Sequence, residues 1–218
     1  MTHIFLSLET LTRETFQPFG FVIERPKGDK HDGLFPKAST ANQGSALRYP
    51  NISYLTSRYS QSSSNKAGLP VVSLFVCLPR SLHTAGSNTS AQAYVKLDVL
   101  EKHTFTSQTF SPLGLGCSDP STGYIVIVAP ASCTADGDTR PDVRGMRAFV
   151  ANGSQAVTYA AGTWHAPMIV VGRHAVNFLV TQFMNGVSND DCQEIRLEQE
   201  YYVPVPEHLL AALQSSKL

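Results

Sequence analysis

The strongest constraint on this chain is its punctuation. Short runs of β-branched and aromatic residues recur along its 218 residues, each bounded within a few positions by Gly, Pro, Asn or Ser. The runs at 71–77, 91–99, 124–128, 146–150, 156–159, 168–171 and 175–183 all read as strands. In 91–99 the apolar side chains alternate (Ala93, Val95, Leu97, Val99), the period of a strand with one buried face. Residues 124–128 are apolar throughout, as in a strand covered on both sides. Helical signals are confined to the ends: 10–16, where a Thr cap precedes Glu14, and 206–214, which opens on Pro206. Two polar stretches, 57–68 and 84–90, are rich in Ser, Asn and Gly and read as surface loops on either side of the strand at Val71. Many short strands with regular turns define a sandwich or barrel, and 218 residues at 42% hydrophobic content suffice for one core. The expectation is one domain over 1–218, mainly β, a jelly-roll barrel with short peripheral helices.

Charge and termini narrow the function. Seventeen basic residues balance seventeen acidic ones, so no surplus exists to hold a phosphate backbone or an anionic membrane, and nucleic acid and membrane are excluded as expected partners. The N-terminal stretch carries Glu9 and Glu14 and lacks the basic and apolar regions of a secretory signal, which predicts an intracellular protein. The sequons at Asn51, Asn88 and Asn152 then carry no meaning. Cys77, Cys117, Cys133 and Cys192 form no C-x-x-C pair and read as reduced, partly buried thiols. The chain ends Ser216-Lys217-Leu218, the tripeptide read by the peroxisomal import receptor, so peroxisomal localisation is expected, with the cytoplasm as the default without it.

Two stretches carry the chemistry. Leu100 to Gln108 contains Glu101 and His103 two apart, hence on one face if the strand continues, with Lys102 turned the other way and Gln108 across a bend. Gly162 to Pro167 contains a glycine suited to a tight turn, then Trp164 and His165. With Gly114, the first resembles a degenerate first cupin motif in which Gln108 stands where a metal-binding carboxylate often does; the second resembles the second cupin motif. A divalent metal on His103, His165 and Glu101 or Gln108 is chemically sensible, but the neutral amide weighs against tight binding. His3, His31, His83, His174 and His208 lack such a context and receive no role. Between Asn42 and Tyr49 a polar loop runs into a strand; there Arg48 reads equally as a carboxylate clamp or a surface ion pair. Asp136, Asp138 and Asp142 lack the spacing of a calcium loop, and Arg147 reads as structural.

Taken in order, these segments resemble the ureidoglycolate lyase family. The resemblance runs from Leu11 to Gly20 with Val22-Ile23-Glu24, through Asn42, Gly44, Arg48 and Tyr49. It continues through Leu100-Glu101, His103, Gln108 and Phe110, Pro141-Asp142, Arg147-Ala148-Phe149, Asn152-Gly153 and Tyr159, to Trp164-His165, Pro167 and Phe178-Leu179. Ala166, Asn177 and Met184-Asn185-Gly186 depart from the family pattern. The resemblance implies a fungal-type member with a cupin-like fold. It implies cleavage of ureidoglycolate to glyoxylate and urea in allantoin breakdown, a homodimer, and an optional divalent, nickel-like metal on His103, Gln108 and His165. On that basis His103, Glu101 and His165 share the base and acid roles with Lys102 in reserve, and Arg48 holds the carboxylate. Asn42, Gln108, Trp164 and Tyr49 orient the urea and wall the pocket. The competing readings are a ureidoglycolate amidohydrolase, a metal-dependent cupin oxygenase and a non-catalytic acid-binding jelly roll.

Overall fold

The computed structural model describes residues 3–26, 35–84, 92–133 and 139–214. His31, Asn88, Asp136, Asp138, most of the second polar stretch and the Ser216-Lys217-Leu218 tail lie outside the described residues.

Two sheets face each other, as expected of a mainly β jelly roll. The smaller has five strands in the order Gly20–Ile23, Ala156–Tyr159, Gln108–Leu113, Val176–Met184 and Leu69–Cys77. The larger has nine. Its main path runs from His3–Phe5 through Gln193–Pro204, Ala93–Lys102, Trp164–His165, Thr122–Ala129 and Arg147–Ala151 to Leu8–Thr10. Both ends of that path are formed by one N-terminal segment: His3–Phe5 pairs in parallel with Gln193–Pro204, and Leu8–Thr10 pairs in parallel with Arg147–Ala151. The segment thus spans the gap between the edges of the large sheet and draws it into a curl, the usual way for a sheet to be rid of open edges.

The curl creates two cores. One lies between the sheets and contains Phe110, Tyr124, Phe149, Val157, Tyr159 and Phe178; the other lies inside the curl and contains Val95, Leu97, Leu100, Ile127, Trp164, Tyr201 and Val203. Strand Thr122–Ala129 serves both. Tyr124, Val126 and Val128 face the first core while Ile125 and Ile127 face the second, which is why its sequence is apolar without alternation.

The helices are short: Arg13–Phe16, Ser188–Asp191 and Glu207–Gln214. The first is closed by a capping box in which Thr12 and Thr15, rather than Glu14, exchange hydrogen bonds. No described helix is long and apolar enough to cross a membrane.

Three sequence expectations are corrected. Strand Gln193–Pro204 was not foreseen, because its interleaved charges (Glu194, Arg196, Glu198) mask a period of two. The stretch 57–68 is more than a surface loop, since Tyr59 and Ser62 are buried within it. Of the four thiols, all free, Cys77 and Cys192 are half-buried but Cys117 and Cys133 are exposed.

Candidate active site

Two rows of cross-strand neighbours, one from each sheet, meet at one end of the sandwich. In the large sheet Glu101 stands opposite Glu194 on one side and His165 on the other. In the small sheet Gln108 stands between Tyr159 and Gln182. Simple alternation from Val95 and Leu97 would have turned Glu101 and His103 into the second core. Instead Leu100 joins that core, so the phase changes between Leu97 and Leu100. The opposing strand is irregular at the same place, its pairing with Ala93–Lys102 jumping from Arg196 to Tyr201. Such a bulge re-aims side chains, and here Glu101 and His103 face the cleft between the sheets.

The turn before Trp164–His165 fixes the second half of the site. Gly162 adopts φ +85°, a conformation that favours glycine, and its amide donates to the His103 carbonyl at 2.9 Å. The two chemistry-bearing stretches are thereby tied together through the backbone.

Each histidine is oriented from behind. His103 Nδ1 lies 2.5 Å from the Asp191 carbonyl, and His165 Nδ1 lies 2.8 Å from the Thr163 carbonyl. A ring nitrogen facing a carbonyl must carry the proton, so Nδ1 donates in both and Nε2 is presented to the cleft. The rings are 5.5 Å apart, and Tyr159 stacks on His165 with centroids 3.9 Å apart. His165 Nε2 is 3.5 Å from Glu101 Oε1, an ion-pair distance without good hydrogen-bond geometry. Gln108 Nε2 donates to Gln182 Oε1 at 2.8 Å.

That leaves His103 Nε2, His165 Nε2, Gln108 Oε1 and the Tyr159 hydroxyl buried without hydrogen-bond partners. Four unsatisfied polar atoms in one cluster are costly in a folded protein and point to a ligand. Burial raises the Glu101 pKa, but the His165 contact and the charges of both histidines outweigh it and hold the carboxyl below its ordinary value. Burial, reinforced by His165, pushes the His103 imidazole below its ordinary value against the pull of the Asp191 carbonyl and Glu101. Burial also holds the Tyr159 phenol well above its usual range. The cleft thus favours a carboxylate at Glu101 and a neutral ring at His103.

The support behind His103 comes from residues that sequence reading missed. The Asp191 carboxylate accepts from the Tyr59 hydroxyl at 2.6 Å and from the Asn185 and Gly186 amides at 2.8 and 2.9 Å. Neighbouring Asp190 accepts from Ser62, Ser64 and Asn185 at 2.5 to 2.8 Å. Nothing in the local sequence marks Tyr59; Gln182 was detectable only through strand register with Gln108, and Tyr159 carried the family resemblance but no site role until that register placed it.

Other expected residues lie elsewhere. Lys102 is on the far face of its strand, with Nζ 2.6 Å from Thr139 Oγ1 and 4.8 Å from the Trp164 ring centre, and Trp164 packs in the second core. Asn42 and Arg48 belong to a hairpin whose strands, Ser39–Ala41 and Ala46–Arg48, pair only with each other among the described residues, and Tyr49 follows it, packed edge-on to Phe35. Arg147 forms a two-pronged bridge to Glu9, with bonds of 2.9 and 2.5 Å. Asp142 caps a turn by accepting from the Arg144 amide. A separate groove of about 830 Å³ runs between Ile4–Glu9, Arg140–Arg147 and Ile195–Tyr201, but it contains neither histidine of the cluster. Chemistry, not size, selects the site.

The arrangement defines a β-sandwich protein with a buried carboxylate–imidazole cleft suited to proton transfer on a small polar molecule. Comparison with known proteins gives the family. A family model described as ureidoglycolate lyase matches residues 3–204, and the chain belongs to this family. It is 38% identical over 186 residues to a ureidoglycolate lyase of Schizosaccharomyces pombe, covering 85% of this chain and 87% of that one. It is 37% identical over 169 residues to one of Saccharomyces cerevisiae, covering 76% and 78% respectively. A Burkholderia cepacia ureidoglycolate lyase is 33% identical over 193 residues, covering 88% of this chain and 86% of its own.

Proposed function

We propose that this protein cleaves ureidoglycolate into glyoxylate and urea. The observation that carries the proposal is the set of inward, unpartnered polar atoms on His103, His165, Gln108 and Tyr159 beside the Glu101 carboxylate. The reaction needs no water and no redox partner. The hydroxyl on the central carbon loses its proton as its oxygen becomes the aldehyde carbonyl, the carbon–nitrogen bond breaks, and the departing nitrogen takes a proton to become urea.

The geometry suggests a division of labour. His103, held neutral with Nε2 facing the cleft, is the base that accepts the hydroxyl proton. His165, whose Nδ1 donates to Thr163 and whose Nε2 faces Glu101, is placed to carry an imidazolium and deliver its proton to the urea nitrogen. Glu101 stabilises that cation. Gln108, steadied by Gln182, offers a carbonyl to the urea N–H groups, and Tyr159 walls the ring of His165. The substrate carboxylate calls for a cation, for which Arg48 is the candidate.

The same donors suit a divalent ion. Ligand atoms of Glu101, His103 and His165 lie within 4.8 Å of one another, and Gln108 Oε1 adds a neutral oxygen. When bound, such an ion supplies Lewis acidity toward substrate oxygens. The exposed edge strand Leu69–Cys77 supports a homodimer, and the terminal Ser216-Lys217-Leu218 supports delivery to peroxisomes through the import receptor.

The deciding experiment measures the nitrogen product. Purified protein given ureidoglycolate should release urea and glyoxylate in equal amounts. Ammonia in place of urea would assign it to the hydrolases instead.

A further inference from the structure

Among the described residues, no lysine or arginine forms an ion pair or side-chain hydrogen bond with Glu101, His103, Gln108 or His165. The groups whose charges act on Glu101 and His103 are His165, Asp191 and each other, with no lysine or arginine among them. Lys102, the nearest cation in sequence, is turned to Thr139 and Trp164. Yet the substrate in the reading above carries a carboxylate, which a dry site must neutralise.

The same chain displays a cation that has nothing to do. Arg48 ends the hairpin Ser39–Ala41 to Ala46–Arg48; it is exposed, and its side chain forms no ion pair or hydrogen bond among the described residues. The preceding Leu47 is 67% exposed. The hairpin tip passes through three consecutive left-handed residues, Asn42, Gln43 and Gly44 (φ 49°, 57° and 95°), a costly shape for Gln43. A free-standing two-stranded hairpin with an exposed leucine is marginal by itself.

The outer face of the five-stranded sheet is covered by Ser53 and Tyr54 at Thr158 and Phe21 but exposed toward the Leu69–Cys77 edge. Val72, Leu74 and Val76 on the edge strand are 60–67% exposed, and Leu179 and Leu113 extend the patch. Register places them on one side of the sheet. Leu74 stands opposite Leu179 and Val76 opposite Asn177, which in turn stands opposite Leu113; the intervening Phe178 and Val180 point into the core. A contiguous apolar face beside an unpaired edge marks an interface. It also adjoins the site, because strand Val176–Met184 crosses this face and carries Gln182 into the cleft.

We propose that a second copy of this chain covers this face, and that its hairpin carries Arg48 to the first copy's cleft, where the guanidinium holds the substrate carboxylate. The occupant is a second copy because the two unsatisfied features are complementary and lie on the same chain. One offers an arginine and an exposed leucine; the other is an apolar face next to a cleft that holds a carboxylate but, among the described residues, no lysine or arginine. A two-fold axis satisfies both features twice.

The proposal rests on the lyase reading for its substrate, so the test has two arms. In the first, Arg48→Ala and His165→Asn, each inactive alone, are co-expressed. If Arg48 acts across the interface, half of the randomly mixed dimers hold one intact site, restoring about a quarter of wild-type urea release. If Arg48 acts within its own chain, every site has a defect and no activity returns, which overturns the proposal. The second arm needs no turnover. Leu47 is replaced by p-benzoylphenylalanine, ¹⁴N- and ¹⁵N-labelled proteins are mixed and irradiated, and cross-linked peptides are mapped. Mixed-label links from position 47 to segments 101–108 or 182–194 are expected. Links within one label only, or a protein that sediments as a monomer, would sink the proposal even if urea is formed. Mixed-label links without urea release from wild type would instead retain the interface and reject the lyase reading.

Discussion

Replacing Tyr59 with Phe removes a single oxygen and tests whether a segment that reads as a loop in fact supports His103. The ring is 98% buried against Phe105, and Gly68 packs so close that a methyl there would lie 2.2 Å from the Tyr59 ring; Phe preserves all of this packing. What is lost is the hydroxyl's donation to the Asp191 carboxylate at 2.6 Å, alongside its approach to the Phe183 carbonyl at 3.0 Å. A buried hydrogen bond to a charged acceptor contributes about 1.5 to 3 kcal/mol. The Asp191 carboxylate keeps the Asn185 and Gly186 amides, so the loss should not grow beyond that range. In a protein of this size it corresponds to a fall in Tm of roughly 3 to 12 °C. Because the Asp191 carbonyl orients His103, kcat should fall as well, with KM little changed. Thermal and urea unfolding followed by circular dichroism measure the first effect, and initial-rate kinetics the second. A variant as stable and as fast as wild type would show that the Tyr59–Asp191 contact does not organise this side of the site.

Gln108→Leu removes an inward carbonyl and strands Gln182, and should lower kcat/KM about 10- to 100-fold (roughly 1.4 to 2.7 kcal/mol) while circular dichroism stays native. Lys102→Met changes a side chain on the far face, so kcat/KM measured on ureidoglycolate should stay within about threefold of wild type; a loss of several hundredfold would restore Lys102 as the base. His103 has a lowered pKa in the fold, so below the ordinary histidine value of about 6.5 the unfolded chain binds the extra proton first, and stability falls as pH drops toward the folded value. Unfolding curves between about pH 7 and 5 should show that slope, and His103→Asn should flatten it.

Much of the fold was legible because burial imposes period. Runs such as 156–159 and 175–183 appear as strands within a residue or so of their observed limits. The unbroken apolar run at 124–128 correctly announced a strand with two covered faces. Strand Gln193–Pro204 escaped because solvent on one side allows charges to crowd its alternation. At the site, Glu101 and His103 could be named from their two-residue spacing, and Gln108 and His165 from their resemblance to cupin motifs; each sits next to a turn or strand end that fixes its direction. The phase change between Leu97 and Leu100 could not, because it accompanies a bulge in a partner strand almost a hundred residues away. The same long-range pairing hid Gln182, the Asp191 carbonyl and the place of Tyr159 in the site, all of which are set only when the two sheets close. Trp164 stands beside His165 in sequence, yet alternation sends its indole to the opposite core.

The central claim is that the Glu101–His103–His165 cleft performs the carbon–nitrogen cleavage. The most direct measurement compares urea release from ureidoglycolate by wild type and by His165→Asn, with folding verified by circular dichroism and thermal unfolding. Loss of one positioned acid or base predicts a fall of about 10² to 10⁴ in kcat with the fold intact. A folded His165→Asn protein that releases urea at the wild-type rate would contradict the account.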